Sequence, residues 1–500
     1  MPRRSSATAM PDVAGVDDPD QPLYLRLQAR LRRVILDGNL TAGARVPASR
    51  RLAVEFGVSR NTVETAYAQL EAEGFLTRRP GSGTYVSEAL PLREMPPLGV
   101  SPVEPVASPI PPPAGDGLSR RGRLLAAQAT GEEPSTGRAF TPSFPALELF
   151  PRQLWARLIA RNARAAGSEI LAFGARAGLQ RLREAIAAHV GATRAVRCTP
   201  DQVIVLTSAQ QAIDLAARLL IDPGDQVWME DPGYIAAAAA LRAAGATLVP
   251  VPVDGEGIDV AAGIRLAPEA RIAYVTPSRH YPTGAPLTLA RRLALLSWAA
   301  GRGSWIIEDD YDSEFHFAGR PLASLQGLDE AGRVLYVGTF NKLMFPSLRL
   351  AYVVVPPALV QPVLAARFLV DGHTPVLSQA ALADFILDGH LGTHLRRMRE
   401  AYEERRDALL AAVEPLDGRL VLGPSDGGMN VAAYAPRIAD DRAVAVLAAR
   451  RGVELRPLSI YYAKTPRRAS VPQGFMLGFA CASPTEIRAA VQRLAPTLDN

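Results

Sequence analysis

Nine prolines fall between Glu88 and Pro113, with no long apolar run among them. Proline locks its own φ and removes a backbone donor, so such a stretch neither completes a ladder nor buries a core. It is expected to be an extended, semi-rigid tether that makes the chain fold as separate parts on either side. A surface loop inside one domain is rarely this long. The expected division is a basic module over 21–87, a proline-rich linker over 88–138 and a large body over 139–500. The 500 residues, nearly half of them hydrophobic, suffice for two or more cores.

The module is where the charge sits. Between Gln21 and Val86 ten arginines stand against five acids, a surplus equal to the formal +5 of the whole chain. Leu23, Leu27, Leu31 and Ile35 recur at helical spacing, with Arg26, Arg30, Arg32 and Arg33 off that stripe. The segment PASRRLAVEFGVSRNTVETAYAQLEAEGFL then reads as two helices joined by a tight turn. Ser49 is expected to cap the first, Leu52, Ala53 and Phe56 to face inward, and Gly57 to end it in a left-handed conformation. Ser59 is expected to cap the second, whose inner face is Val63, Ala66, Tyr67 and Leu70. Arg60, Asn61, Thr62 and Thr65 stay on the outer face at the helix N-terminus, where a recognition helix meets bases and phosphates. After Gly74, FLTRRPGSGTYV reads as a hairpin wing with Gly81 and Gly83 in its turn.

A small helical protein-binding domain is the alternative, but basic charge, helix-turn-helix spacing and a glycine-tipped wing together favour a DNA reader. The stretch resembles the winged-helix domain of GntR-type regulators across its full length. That resemblance implies contacts to double-stranded DNA from Arg45, Ser49, Arg50, Ser59, Arg60, Asn61, Thr62 and Gly81.

From about Ala139, short Val/Ile runs alternate with Ala/Leu/Arg-rich helical patterns, as parallel βαβ units do. The strand Val203–Leu206 followed by a helix over Gln210–Ile221 is the clearest pair. Only Lys342 and Lys464 among 55 basic residues are lysines. Arginine stays protonated, whereas lysine can lose its proton and form a Schiff base with a carbonyl. Lys342 lies between two β-branched runs, so it is expected on a loop between buried strands.

Three further segments suit the same chemistry. SWIIEDDYDSEF places Asp309 and Tyr311 just past a buried strand. A carboxylate there can keep a pyridinium nitrogen protonated, and Tyr311 can hydrogen-bond the ring's phenolate oxygen. VIVLTSAQQAI runs a strand into a helix, aiming the amides of Ser208, Ala209 and Gln210 at an anion. Thr339 and Arg349 offer a hydroxyl and a guanidinium to the same phosphate, and Tyr234 in EDPGY can stack on a planar ring. The body resembles the fold type I aminotransferases, an α/β fold that binds pyridoxal phosphate. Winged helix followed by aminotransferase-like body is the arrangement of MocR/GabR-type regulators. This implies a cofactor bound at Lys342 with Asn341 beside it, a small amine or amino-acid effector, and a head-to-tail homodimer.

Several positions depart from the family pattern. Ser208 stands for a common Gly, Asn341 for the Ser before the lysine, and Tyr281 in SRHYPTG for an Asn. Phe173 stands for the Tyr that reaches the phosphate from the partner subunit. In GFMLGFA, Met476 and Leu477 occupy the place where many aminotransferases carry the Arg that clamps the substrate carboxylate. Arg279 and Arg456 are the candidate substitutes for that effector contact. A regulator that senses rather than turns over is the reading this favours. The alternatives are a working aminotransferase carrying a DNA-binding domain, and a DNA-binding protein whose body is a scaffold without cofactor.

Cys198 and Cys481 are the only cysteines, too few for a disulfide framework or a thiolate metal site. No stretch approaches the roughly 18–20 apolar residues of a membrane helix, and no apolar leader core follows Arg3 and Arg4. A cytoplasmic, membrane-free protein is expected.

Overall fold

A computed structural model describes residues 21–88, 117–127, 137–165, 167, 172–317, 323–463 and 471–499. Most of the expected tether, and Lys464, lie outside the described residues. The chain divides into two compact units, Met1–Asp116 and Gly117–Asn500.

In the first unit, α1 (Leu23–Leu36), α2 (Ser49–Phe56) and α3 (Arg60–Ala72) precede a hairpin of β1 (Leu76–Arg79) and β2 (Gly83–Val86). Leu27, Leu31, Ile35, Leu52, Val63, Ala66, Tyr67 and Leu70 form its core. Leu23 does not join them: it opens α1 a turn before the first buried residue, and Val34 fills the core instead. Ser49 is not the cap of α2. Ala48, extended behind Pro47, is the N-cap, so Ser49 is already helical and turns its Oγ toward Arg60. Gly57 ends α2 at φ 63°, and Ser59 caps α3 by accepting from the Thr62 amide. Gly81 and Gly83 take φ of 74° and 122° in the wing turn.

The second unit begins with α4 (Arg120–Ala126), inside the stretch read as linker, then α5 (Arg152–Ala165) and α6 (Gln180–Arg194). Strands and helices then alternate: β3 (Val203–Leu206), α7 (Ala209–Leu220), β4 (Gln226–Asp231), α8 (Ile235–Ala243), β5 (Thr247–Asp254), β6 (Gly257–Ile258) and α9 (Val260–Leu266). Next come β7 (Ile272–Val275), α10 (Leu289–Arg302), β8 (Trp305–Asp310), α11 (Leu325–Leu328), β9 (Val334–Thr339) and β10 (Ala351–Val354). Helices α12 (Val360–Val370), α13 (Val376–Leu387) and α14 (His390–Val413) lead to a small sheet of β11 (Val421–Leu422), β12 (Asn430–Tyr434), β13 (Arg456–Pro457) and β14 (Gly474–Gly478). Helix α15 (Asp441–Arg450) lies between β12 and β13, and α16 (Pro484–Leu494) follows β14.

The large sheet runs β3-β10-β9-β8-β7-β4-β5-β6. Strands β5, β4, β7, β8 and β9 are parallel. Strand β10 opposes both β9 and β3, so β3 points the same way as the parallel set without pairing to it. Central strands are buried on both faces, which explains their unbroken Val/Ile runs. Alternate side chains enter different cores: Ile272, Tyr274 and Ile307 go to one, Ala273, Val275 and Ile306 to another.

Candidate functional site

Because β3, β4, β7, β8 and β9 share a direction, the residues at their C-terminal ends converge on one edge. Open α/β sheets hold their ligands at that edge. Here it forms a cleft of about 500 Å3 that gathers Ser208, Ala209, Gln210, Tyr234, Asp309, Tyr311, Thr339, Asn341, Lys342 and Arg349.

Strand β8 shows how local sequence aims these groups. Its last three residues are acids, and the pleat sends Asp309 to one face and Glu308 and Asp310 to the other. Glu308 accepts the Leu325 and Gln326 amides at the start of α11, both at 2.8 Å. Asp310 takes Arg194 Nε at 2.8 Å and the Tyr336 hydroxyl at 2.7 Å. Asp309 alone lines the cleft, within the strand rather than just past it. Its Oδ2 accepts from the Tyr274 hydroxyl at 2.7 Å, whereas buried Oδ1 has no hydrogen-bond partner among the described residues. Burial raises its pKa, with Lys342 and Tyr274 pulling the other way. A buried carboxylate oxygen left open to the cleft fits the N–H of a protonated pyridine ring.

At the other end, Ser208 caps α7, its Oγ accepting from the Gln211 amide. The first-turn amides of Ala209 and Gln210 have no acceptor within the helix and suit an anion. The Thr339 oxygen accepts the Asn341 amide, and Asn341 Oδ1 accepts the Leu350 amide, closing the loop around Lys342. Lys342 Nζ sits 4.5 Å from the Tyr311 ring centre. Arg349 reaches the cleft from a left-handed backbone at φ 52°. Amide donors, a hydroxyl and a guanidinium at one end, with a carboxylate at the other, match a phosphorylated pyridine.

The two effector candidates separate. Arg456 lines the cleft, on β13, in register with Met476. Arg279 lies in a smaller neighbouring cavity of about 200 Å3, where it donates to the Asn430 carbonyl and its Nε lies 3.9 Å from Asp312. Phe173 is 97% exposed, edge-on to His373. The sequence reasoning missed Tyr274, Thr276, Ser143 and Phe144, which also line the cleft. Position just beyond β7 could have pointed to Thr276; a tyrosine inside a buried strand looks like core.

In the winged-helix unit, Arg45, Arg50, Ser59, Arg60 and Asn61 are exposed, with Ser49 and Thr62 half-buried between them. Arg60 Nε donates to Ser49 Oγ at 3.4 Å, joining the starts of α2 and α3. Arg45 pairs with Tyr85 beside the wing, under Gly83. Arg78 and Arg32 are tied to Glu64, Glu71 and Glu73, Arg79 of the wing to Glu88, and Arg60 lies 3.9 Å from Glu64.

Fold and site together define an aminotransferase-like body of fold type I joined to a winged helix. Residues 149–494 match the family of class I and II aminotransferases, and residues 23–86 the gntR family of bacterial regulatory proteins. The probable rhizopine catabolism regulatory protein MocR of Rhizobium meliloti is 41% identical, over 95% of this chain and 94% of that protein. The regulator TauR of Rhodobacter capsulatus is 33% identical, over 94% and 96% of the two chains. Among solved structures, the α-aminoadipate aminotransferase LysN from Thermus thermophilus, complexed with N-(5'-phosphopyridoxyl)-L-leucine, superposes with a TM-score of 0.68 at 28% identity. It covers 75% of this chain and 96% of LysN. The chain belongs to the MocR-type subfamily of GntR regulators, and its cofactor is pyridoxal phosphate. No helix among the described residues is long and apolar enough to cross a membrane.

Proposed function

We propose that the body senses a small amine or amino acid through the cofactor held at Lys342, and that the winged helix reads a double-stranded operator accordingly. One juxtaposition carries the reading. Lys342 and Asp309 share a cleft in a chain that also has a winged helix, while at the clamp position of β14 Met476 packs with Tyr281 and Tyr311 and Leu477 turns into the main core, neither offering a guanidinium. Ser208, Ala209, Gln210, Thr339, Asn341 and Arg349 would hold the phosphate, Asp309 the ring nitrogen, Tyr311 the phenolate oxygen and Tyr234 the ring face. Bound there, the cofactor supplies a carbonyl carbon open to amines and an electron sink. The Lys342 amine lies 4.5 Å from the Tyr311 ring centre, and an incoming amine would compete with it for that carbon. That exchange shifts the protein only as far as the ligand favours one conformation over the other.

Arg45, Ser49, Arg50, Ser59, Arg60, Asn61, Thr62 and Gly81 are the DNA contacts of this reading, on a module spanning 21–87 tethered through 88–138 to a body over 139–500. The homodimer, head-to-tail as the family resemblance implies, would cover Phe173 and Phe368, Leu369 and Val370 at the end of α12, all apolar and exposed in the single chain. Reading an operator would be a cytoplasmic task, so the protein would act in the cytoplasm. The regulator names of MocR and TauR support the same function.

A working aminotransferase is favoured by one observation, the presence of Arg456 in the cleft. The test mixes the protein with a panel of amines and amino acids while following the absorption spectrum and operator binding together. A spectral change with altered DNA binding and no keto acid is the expected result. Rapid multiple turnover with a keto acid acceptor would overturn sensing in favour of the enzyme.

A further inference from the structure

We propose that Tyr274 is the residue that orients Asp309 toward the ring nitrogen of the cofactor. The inference rests on the cofactor site described above and adds a residue that no motif assigns.

Tyr274 lies on β7 in register with Ile307 of the parallel strand β8. Asp309 is two residues beyond Ile307, so the pleat puts it on the same face as Tyr274. The phenol therefore reaches diagonally across the strand pair, and its hydroxyl donates to Asp309 Oδ2 at 2.7 Å. Tyr274 is fully buried, in a core whose neighbouring positions are Ile272, Ile307 and Val337. A phenylalanine would pack there equally well, so the hydroxyl is explained by the bond it makes.

An ionised carboxylate only accepts. With Oδ2 occupied from the side of β7, rotation of the group is restricted and Oδ1 is the oxygen left for the cleft. Oδ1 is also the one without a partner among the described residues. Charged or titratable groups close by are Lys342 beyond β9, Asp310 on the same strand and Glu230 on β4. The phenol thus fixes the Asp309 geometry before any cofactor arrives, and a preset acceptor spares the ordering that binding would otherwise require. Tyr274 is a positioning residue acting through Asp309.

The experiment titrates the apo-protein and its Tyr274→Phe variant with pyridoxal phosphate and with 1-deazapyridoxal phosphate, in which carbon replaces the ring nitrogen. Binding is read by fluorescence and absorption. Loss of one hydrogen bond to a charged group should weaken pyridoxal phosphate about tenfold or more and leave the deaza analogue unchanged. In an Asp309→Asn background the Tyr274→Phe effect should vanish, as coupled residues require. An unchanged affinity for pyridoxal phosphate overturns the proposal. So does an equal loss for both ligands, or an undiminished loss beside Asp309→Asn, since either marks a packing defect. Failure of the unsubstituted protein to take up pyridoxal phosphate overturns the cofactor site and this inference with it.

Discussion

Lys342 and Glu230 differ in how a change of protonation would be felt. The Lys342 amine is half-buried at the cleft, where its charge can be exchanged against a ligand. Lys342→Ala should therefore abolish the adduct that borohydride fixes on the protein, as mass spectrometry of the tryptic peptide would show, while leaving the fold intact. Glu230 has no such exit. It is buried, accepts from the Thr276 amide and hydroxyl, and burial pushes its pKa up to about 8 from an ordinary 4.5. The folded state keeps a proton that the unfolded chain releases, so stability falls as pH rises from about 4.5 to about 8. Buried His280, 3.6 Å from Glu230, has its pKa lowered to about 3 and contributes the opposite slope, between about 3 and 6.5. Above pH 7 the His280 term is spent, and the Glu230 term remains together with the tail of buried Glu308, whose pKa is pushed up to about 7. Glu230→Gln should flatten the fall in urea midpoint between pH 7 and 8, a slope of up to about 1.4 kcal/mol per pH unit.

Among the elements, α3 depends most visibly on one side chain. Ser59 satisfies the Thr62 amide and starts the helix from which Arg60, Asn61 and Thr62 project. Ser59→Ala should cost about 1 kcal/mol of winged-helix stability, measurable by thermal melting, and should lower operator affinity. The same region shows what could be read in advance. The inner face of α3 followed from its spacing because one buried stripe repeats with the helix. The cap of α2 did not, since Ala48 takes the extended capping position and the helix begins at Ser49, one residue earlier than a serine-first rule expects. In the body, β3 and α7 were legible to within a residue, as was Lys342 on a loop between strands. Strand β10, running between β9 and β3 against both, was not legible, because pairing direction is set by neighbours far away in the chain. Arg279 illustrates the same limit: its loop adjoins the cleft, yet its guanidinium turns to Asn430 on the small sheet.

For the whole molecule, charge and cofactor belong to different units. Arg50→Ala and Arg60→Ala should weaken DNA binding in gel shift or anisotropy assays and leave the cofactor's absorption unchanged. If a dimer neutralises roughly 6–10 phosphates, affinity should fall about a thousandfold or more between 50 and 200 mM salt. A flat salt response would show that the exposed arginines are not the contact surface. The single-edged arrangement of the large sheet has a consequence for descent. Most groups facing the cleft hang from a loop or from the end of a strand or helix, and the interlocking interior lies behind them. Ligand preference can therefore drift by exchanging tips, one at a time, while the buried core stays unaltered. Relatives with different appetites for amines could share this interior and differ chiefly along its rim.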